Sequence, residues 1–176
     1  MKRIPLTQER LKTVLHYNPE TGLFTWLDRS NIDLHWNKSY TGKRAGGPII
    51  EKNGKPYWTV TVYARTYRAN RLAWLYMTGE WPPKFVDHKD LDGLNDKWTN
   101  LRSATVSQNT ANSKRRITNT SGFKGVMFDK KKNRYRTSIK VQGNDKWLGY
   151  FDRAEDAHAA YCKAAKEYFG EFARTE

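Results

Sequence analysis

Apolar positions along this chain recur with two different periods, and the changes from one to the other mark out its elements. Residues 6–17 read as a short helix, with Thr7 as its cap and Leu11, Val14 and Leu15 on one face. Asn18-Pro19 stops it, Thr21-Gly22 turns the chain, and residues 23–27 form a strand. Residues 28–46 are polar and are expected as a long irregular loop. Period two then takes over. Asn53-Gly54, the pair preferred in a tight primed turn, joins residues 48–51 to 57–63, where Trp58, Val60 and Val62 share one face. Residues 71–77 return to helical spacing and end at Gly79, ahead of Pro82-Pro83, with Leu72, Leu75 and Met77 on the apolar side.

The next stretch carries chemistry. An apolar pair, Phe85-Val86, runs straight into an acid and an imidazole, Asp87-His88. A polar loop with Gly93 follows, then the short strand Asn100-Leu101-Arg102. Thr105 and, three residues on, Gln108 form a capping box that opens a helix. In an order of strand, loop, short strand and helix, Asp87 and Asn109 can face one another across a small gap with His88 beside them. One carboxylate and one amide oxygen are hard ligands that suit magnesium or manganese rather than zinc. His88 is then available as a general base on water. Taken singly, each residue also has an ordinary reading: Asp-His as a turn, Asn100 as a turn residue, Asn109 as a polar helix residue. The ordered set is what points to a site.

That set resembles the HNH endonucleases, in particular the phage-type homing enzymes, whose motif reads Asp-His, then Asn-Leu-Arg, then a helical Asn. The resemblance implies a beta-beta-alpha metal site that hydrolyses phosphodiesters. It implies Asp87 as first metal ligand, His88 as the base, Asn100 as the brace of the loop that orients His88, and Asn109 as last ligand. It reaches back over the run from Asn70 to Leu75, where Arg71 is taken as a DNA contact. These enzymes have a histidine where this chain has Asn70, which can donate a hydrogen bond but carries no charge.

Composition narrows the partner. Among 176 residues the net charge is +14, so the natural partner is a polyanion, and Lys38, Lys43 and Arg44 suggest that the 28–46 loop faces DNA. No stretch approaches the roughly 18 apolar residues of a membrane helix, and Met1-Lys2-Arg3 leads into no apolar run of the signal-peptide kind. The single cysteine, Cys162, excludes an internal disulfide and a cysteine-based zinc cluster, and reads as a small packing residue. A reducing compartment is expected, the cytoplasm (that of a bacterial host if the gene is a phage's). Most of the seven Trp and ten Tyr are expected in the core, while the run Tyr63-Ala64-Arg65-Thr66-Tyr67-Arg68 suits backbone phosphates.

Residues 112–122 are polar, basic and aperiodic, a linker whose Lys114, Arg115 and Arg116 are expected at phosphates. From 123 onward a second module begins. Residues 124–128 form a short strand and 130–133 a basic turn; in residues 134–141, Tyr135, Thr137, Ile139 and Val141 point one way and Arg134, Arg136, Ser138 and Lys140 the other. Residues 142–145 turn into a third strand, 146–151. Asp152 then caps a helix, with Glu155 completing a capping box. Three antiparallel strands and a helix leave one basic face open, the arrangement a sheet needs to enter a DNA groove.

This module resembles the plant Apetala-two/ethylene-response-factor DNA-binding domain in Gly125-Val126 after Lys124, Arg134-Tyr135, Trp147-Leu148-Gly149 with Phe151-Asp152, and Ala154-Glu155-Asp156-Ala157 leading to Ala160-Tyr161. The resemblance implies DNA contact through Lys124, Arg134, Ser138 and Lys140. Met127 stands where the plant domains have arginine and Tyr135 where they have tryptophan. The expectation is an α+β chain: a nuclease part (1–111), the linker (112–122), and a three-stranded antiparallel sheet packed on one helix (123–176). Its partner is double-stranded DNA, with no membrane and no small-molecule substrate, cut by a monomer one strand at a time. The competing reading is a protein that binds DNA without cutting it.

Overall fold

The computed structural model describes residues 4–29, 33–52 and 54–176. They belong to two compact units, Met1–Ser103 and Ala104–Glu176, so Asn109 and residues 112–122 group with the second. Both mix helices with small sheets, an α+β arrangement.

The first unit opens with α1 (Gln8–Lys12), whose N-terminus is capped by the Thr7 hydroxyl accepting from Arg10 N–H at 3.3 Å. The expected helix over 6–17 is half strand instead. Leu15 and Tyr17 are both buried while His16 is exposed, a period of two that places both side chains in the core. Hence β1 (Leu15–Asn18) pairs antiparallel with β2 (Leu23–Trp26). The expected loop over 28–46 also holds a helix, α2 (Leu34–Tyr40), apart from residues 30–32, which lie outside the described residues. Asp33 caps it by accepting from His35 and Trp36 N–H, and Trp36 packs on Trp26 and Tyr40. None of its residues is buried, so no apolar stripe announced it.

Strands β3 (Gly47–Ile50), β4 (Pro56–Val62) and β5 (Arg65–Arg68) form an antiparallel sheet in that order. Residue 53 of the expected Asn53-Gly54 turn, like Met1–Arg3, lies outside the described residues. The β4–β5 turn was not foreseen, because Tyr63 and Ala64 take the left-handed conformation (φ 51° and 59°) without the usual Gly or Asn. Helix α3 (Ala69–Thr78) ends on Gly79 at φ 84°, as the sequence indicated. Leu72, Ala73 and Leu75 pack with Leu11, Leu15, Tyr17, Phe24, Val60 and Val86, whereas Met77 is largely exposed. Strand β6 (Phe85–His88), a loop, the 3-10 turn Trp98–Asn100 and β7 (Leu101–Ala104), paired with β6, follow, and the first unit ends within β7 at Ser103.

The second unit starts with α4 (Val106–Ala111), opened by the full Thr105–Gln108 capping box. Strands β8 (Val126–Asp129), β9 (Arg134–Val141) and β10 (Asn144–Phe151) form an antiparallel sheet with β9 in the middle. Thr137 and Ile139 are buried and Arg136, Ser138 and Lys140 exposed, the alternation expected. Ile139 packs with Tyr161, Ala164 and Phe169 of α5 (Ala154–Phe169), where small alanines let the helix approach. Residue 153, not Asp152, is the N-cap of α5 and makes no side-chain cap; Asp152 accepts from Arg134 Nε at 2.8 Å instead. Within residues 112–122, Asn119 Nδ2 donates to the Phe123 and Val126 carbonyls and the Ser121 hydroxyl to Val126, while residues 114–118 are exposed.

Candidate active site

Strand β6 delivers Asp87 and His88 to the start of the loop, and both are almost fully buried, at 5% and 6% exposure. Helix α3 fixes the strand from behind. Asn70, at the position where the resemblance expects histidine, is buried and donates to the Val86 carbonyl at 3.1 Å; its Oδ1 has no hydrogen-bond partner among the described residues. Arg71 donates to the Lys84 carbonyl at 2.9 Å, so it helps hold the approach to β6.

The loop from 89 to 100 is knotted by its own side chains. The Asp90 carboxylate accepts from Asp92 N–H, from Asn95 Nδ2 at 2.6 Å and from Asn100 Nδ2 at 2.9 Å. Asn100 also donates to the Asn95 carbonyl at 2.7 Å and accepts from Asp90 N–H at 3.2 Å. Burial raises the Asp90 carboxyl, but the bonds from Asn95, Asp92 and Asn100 outweigh it and hold the group below the usual carboxylate range. Asn100 therefore binds the two ends of the loop together.

Two contacts to buried carboxylates close the site. Arg102 Nε donates to Asp87 Oδ2 at 3.0 Å, with the arginine 10% exposed. His88 Nε2 lies 2.9 Å from Asp96 Oδ1, and Asp96 is 3% exposed. Burial raises the Asp96 carboxyl; the hydrogen bond with His88, the charge of His88 and that of Arg44 pull it back part of the way. Arg44, expected at DNA, stacks on Trp58 at 3.3 Å from the ring centroid. The Tyr57 ring is 6.2 Å from that of His88, and its hydroxyl is raised by burial and by the charge of Asp87.

Asp90, Asp96 and Arg44 were missed as parts of the site. The spacing Asp90-x-Asp92-x-Leu94, in which each aspartate accepts from the N–H two residues on, was a readable sign of a self-bonded loop. Nothing local marked Asp96.

Asp87 offers a buried carboxylate, the oxygen donor a hard cation takes, with its Oδ2 engaged by Arg102. Among the described residues no group of three or more His, Cys, Asp and Glu is arranged for a metal. Asn109, the other ligand implied, is exposed on α4 in the second unit.

The residues expected at DNA divide into three groups. Lys114, Arg115 and Arg116 are exposed, and so are Arg136, Ser138 and Lys140 on β9; Lys140 lies 3.9 Å from Asp145. Arg134 is half-buried and paired with Asp152. Lys124 is a correction. Its ammonium is buried and donates to the carbonyls of Ala111, Ser113 and Arg174 at 2.6–2.7 Å, so its three donors are spent inside the unit. Its alkyl stem and charge serve packing, and it leaves the DNA-contact set. The outer sheet face beside β9 holds a cleft of about 320 Å³ lined by Gly125, Met127, Arg136, Ser138, Asp145 and Trp147.

Residues 67–111, the span from β5 through α4, match the family model described as HNH endonuclease. That span is thus a domain of the HNH class. Protein 3.8 of Escherichia phage T7 is 32% identical over 116 residues, covering 64% of this chain and 95% of that protein. A protein of Acanthamoeba polyphaga mimivirus named as an uncharacterized HNH endonuclease is 31% identical over 162 residues, 92% of this chain and 78% of the relative. With relatives matched over that much of their length, the chain belongs to the HNH endonuclease family. No solved structure matches it. No helix among the described residues is long and apolar enough to cross a membrane.

Proposed function

We propose that the chain is a divalent-metal-dependent DNA endonuclease of the homing type that nicks one strand. The observation that carries this reading is the buried Asp87–His88 pair at the end of β6, facing a loop bound at both ends by Asn100. Asp87 would hold the ion, with Asn109 as the second ligand that its place in the motif implies. A bound magnesium or manganese ion supplies Lewis-acid stabilisation of the charge that develops on the scissile phosphate and the leaving oxygen. His88 takes one proton from the attacking water. The water oxygen bonds to phosphorus, the bond from phosphorus to the 3′ oxygen breaks, and that oxygen collects a proton from solvent. The products are a 5′ phosphate and a 3′ hydroxyl. Asn100 keeps the loop from opening during the step.

The second unit holds the duplex, in the manner of the Apetala-two/ethylene-response-factor domain that it resembles. Support comes from the exposed row Arg136, Ser138 and Lys140 on the sheet face away from α5, with Lys114, Arg115 and Arg116 exposed upstream. Such cations supply the sequence-independent part of DNA affinity.

The test is cleavage of supercoiled plasmid carrying DNA from the gene's own neighbourhood, in magnesium or in chelator, by wild type and His88→Ala. Metal-dependent nicking that the substitution abolishes, with DNA affinity retained in a gel shift, is the expected result. Tight binding without cleavage under either magnesium or manganese refutes it.

A further inference from the structure

We propose that Asp96 is the positioning residue of His88, and that the β1–β2 hairpin is the rigid support that keeps Asp96 in place. This inference rests on the nuclease reading and assigns two parts of the chain that the motif leaves without a role.

The contact itself is a buried hydrogen bond, 2.9 Å between Asp96 Oδ1 and His88 Nε2, with both residues almost fully buried. A carboxylate this far from water is stable only with a partner, and the imidazole is that partner. An ionised carboxylate accepts and cannot donate, so it places the ring proton on Nε2 and the basic lone pair of the neutral ring on Nδ1. When the ring takes the proton of water, the same carboxylate stabilises the imidazolium. This is the relation of base to orienting acid that activates nucleophiles elsewhere.

Asp96 could not orient anything from a loose loop, and the hairpin removes that freedom at three successive positions. The Tyr17 hydroxyl, itself buried, donates to the Asp96 carbonyl at 2.6 Å. Trp98 N–H donates to the Pro19 carbonyl at 3.0 Å. Gly22, at φ 74°, lies so close that a Cβ there would overlap the backbone of Asp96 and Lys97. Asn100 acts on a different part of the loop, through Asp90 and Asn95. The loop thus has two supports: Asn100 ties its ends, and the hairpin sets the residue that meets the base.

The experiment uses the full chain as wild type, Asp96→Ala, Asp96→Asn, Tyr17→Phe and His88→Ala. Each is measured for nicking kinetics under magnesium, for thermal melting, and by nitrogen NMR of ¹⁵N-histidine protein, with His88 assigned from His88→Ala. Asp96→Ala is expected to lower kcat about 100-fold, within the range a general base contributes, with KM for DNA almost unchanged. Asp96→Asn, which keeps an acceptor but loses the charge, should lie between, at about tenfold. Tyr17→Phe should cost a few-fold in kcat alone. The neutral ring of wild-type His88 should carry its proton on Nε2, and that preference should vanish in Asp96→Ala. The inference is overturned if wild type cleaves and His88→Ala does not, yet both Asp96 variants stay within about threefold of wild-type kcat. It is overturned equally if the neutral wild-type ring carries its proton on Nδ1. Should wild type fail to cleave, the nuclease reading falls by itself, and the NMR arm still decides whether Asp96 sets the tautomer.

Discussion

Replacing Lys124 by methionine tests how the second unit is held together. The ammonium makes three hydrogen bonds, to Ala111 at the end of α4, to Ser113 just after it and to Arg174 near the C-terminus. Hydrogen bonds to a charged group contribute about 1.5–3 kcal/mol each, and a carbonyl left without a donor costs about 1–3 kcal/mol. Against this stands the desolvation of the ammonium, several kcal/mol, which methionine avoids. The three carbonyls left without a donor outweigh the desolvation that methionine avoids, so the net loss expected for Lys124→Met is about 3 kcal/mol, or about 12–24 °C in the melting of a unit this size. Calorimetry should show that loss in the unfolding of the second unit, and hydrogen exchange should show weaker protection near residues 111–113 and at the C-terminus. The pH dependence has a definite sign. Burial, helped by the charge of Arg174, lowers the Lys124 ammonium to about 8. The unfolded chain, with lysine near its ordinary value of about 10.4, then binds the proton more tightly. Lys124 therefore adds stability as pH rises from 8 towards 10, and the methionine variant should lack that slope. DNA affinity and its salt dependence should not change, because the ammonium does not reach the surface. A variant that melts within a degree of wild type, or whose salt slope for DNA binding becomes shallower, would refute this account of Lys124.

Two further outcomes are expected. Asp90 is held below its ordinary carboxyl range, so it contributes stability above the unfolded value of about 4 that is lost as pH falls through the folded one. Asp90→Asn should thus have a lower urea midpoint than wild type at pH 7, and the gap should narrow below pH 4; a constant gap would count against the hydrogen-bonded carboxylate. On the sheet, Arg136→Ala with Lys140→Ala should weaken DNA binding uniformly across sequences and reduce the slope of log affinity against log salt by about 2, one for each phosphate no longer neutralised. An unaltered slope in gel shifts would rule out docking through that face.

What could be read in the sequence followed from whether a residue's neighbours in the chain were also its neighbours in space. The capping box at Thr105 and Gln108, the Gly79 end of α3 and the alternation along β9 are local, and each stands as read. The β1 strand was misread because Leu11, Val14 and Leu15 fit helical spacing equally well, and only pairing with β2 decides between the two periods. Helix α2 has no buried face, and the β4–β5 turn uses residues that rarely take positive φ. Neither leaves a mark on composition.

The same division explains the site. Asp87, His88 and Asn100 were legible because a motif keeps them at fixed spacing, and the structure sets the first two in adjacent buried positions with Asn100 closing the loop behind them. Asp96 sits in that same loop but acts through Tyr17 and Gly22, 79 residues away for the tyrosine hydrogen bond. Lys124 shows the converse error. Its place in the pattern suggested a phosphate contact, yet a lysine is amphipathic, and a long stem can carry its charge inward where carbonyls converge. Ala111, Ser113 and Arg174 supply that convergence, and only the folded chain brings them to one point. Charge on a sequence therefore marks a candidate for DNA contact, and burial decides which candidates are retained: Arg136 and Lys140 remain exposed, Arg134 is half-committed to Asp152, and Lys124 is withdrawn.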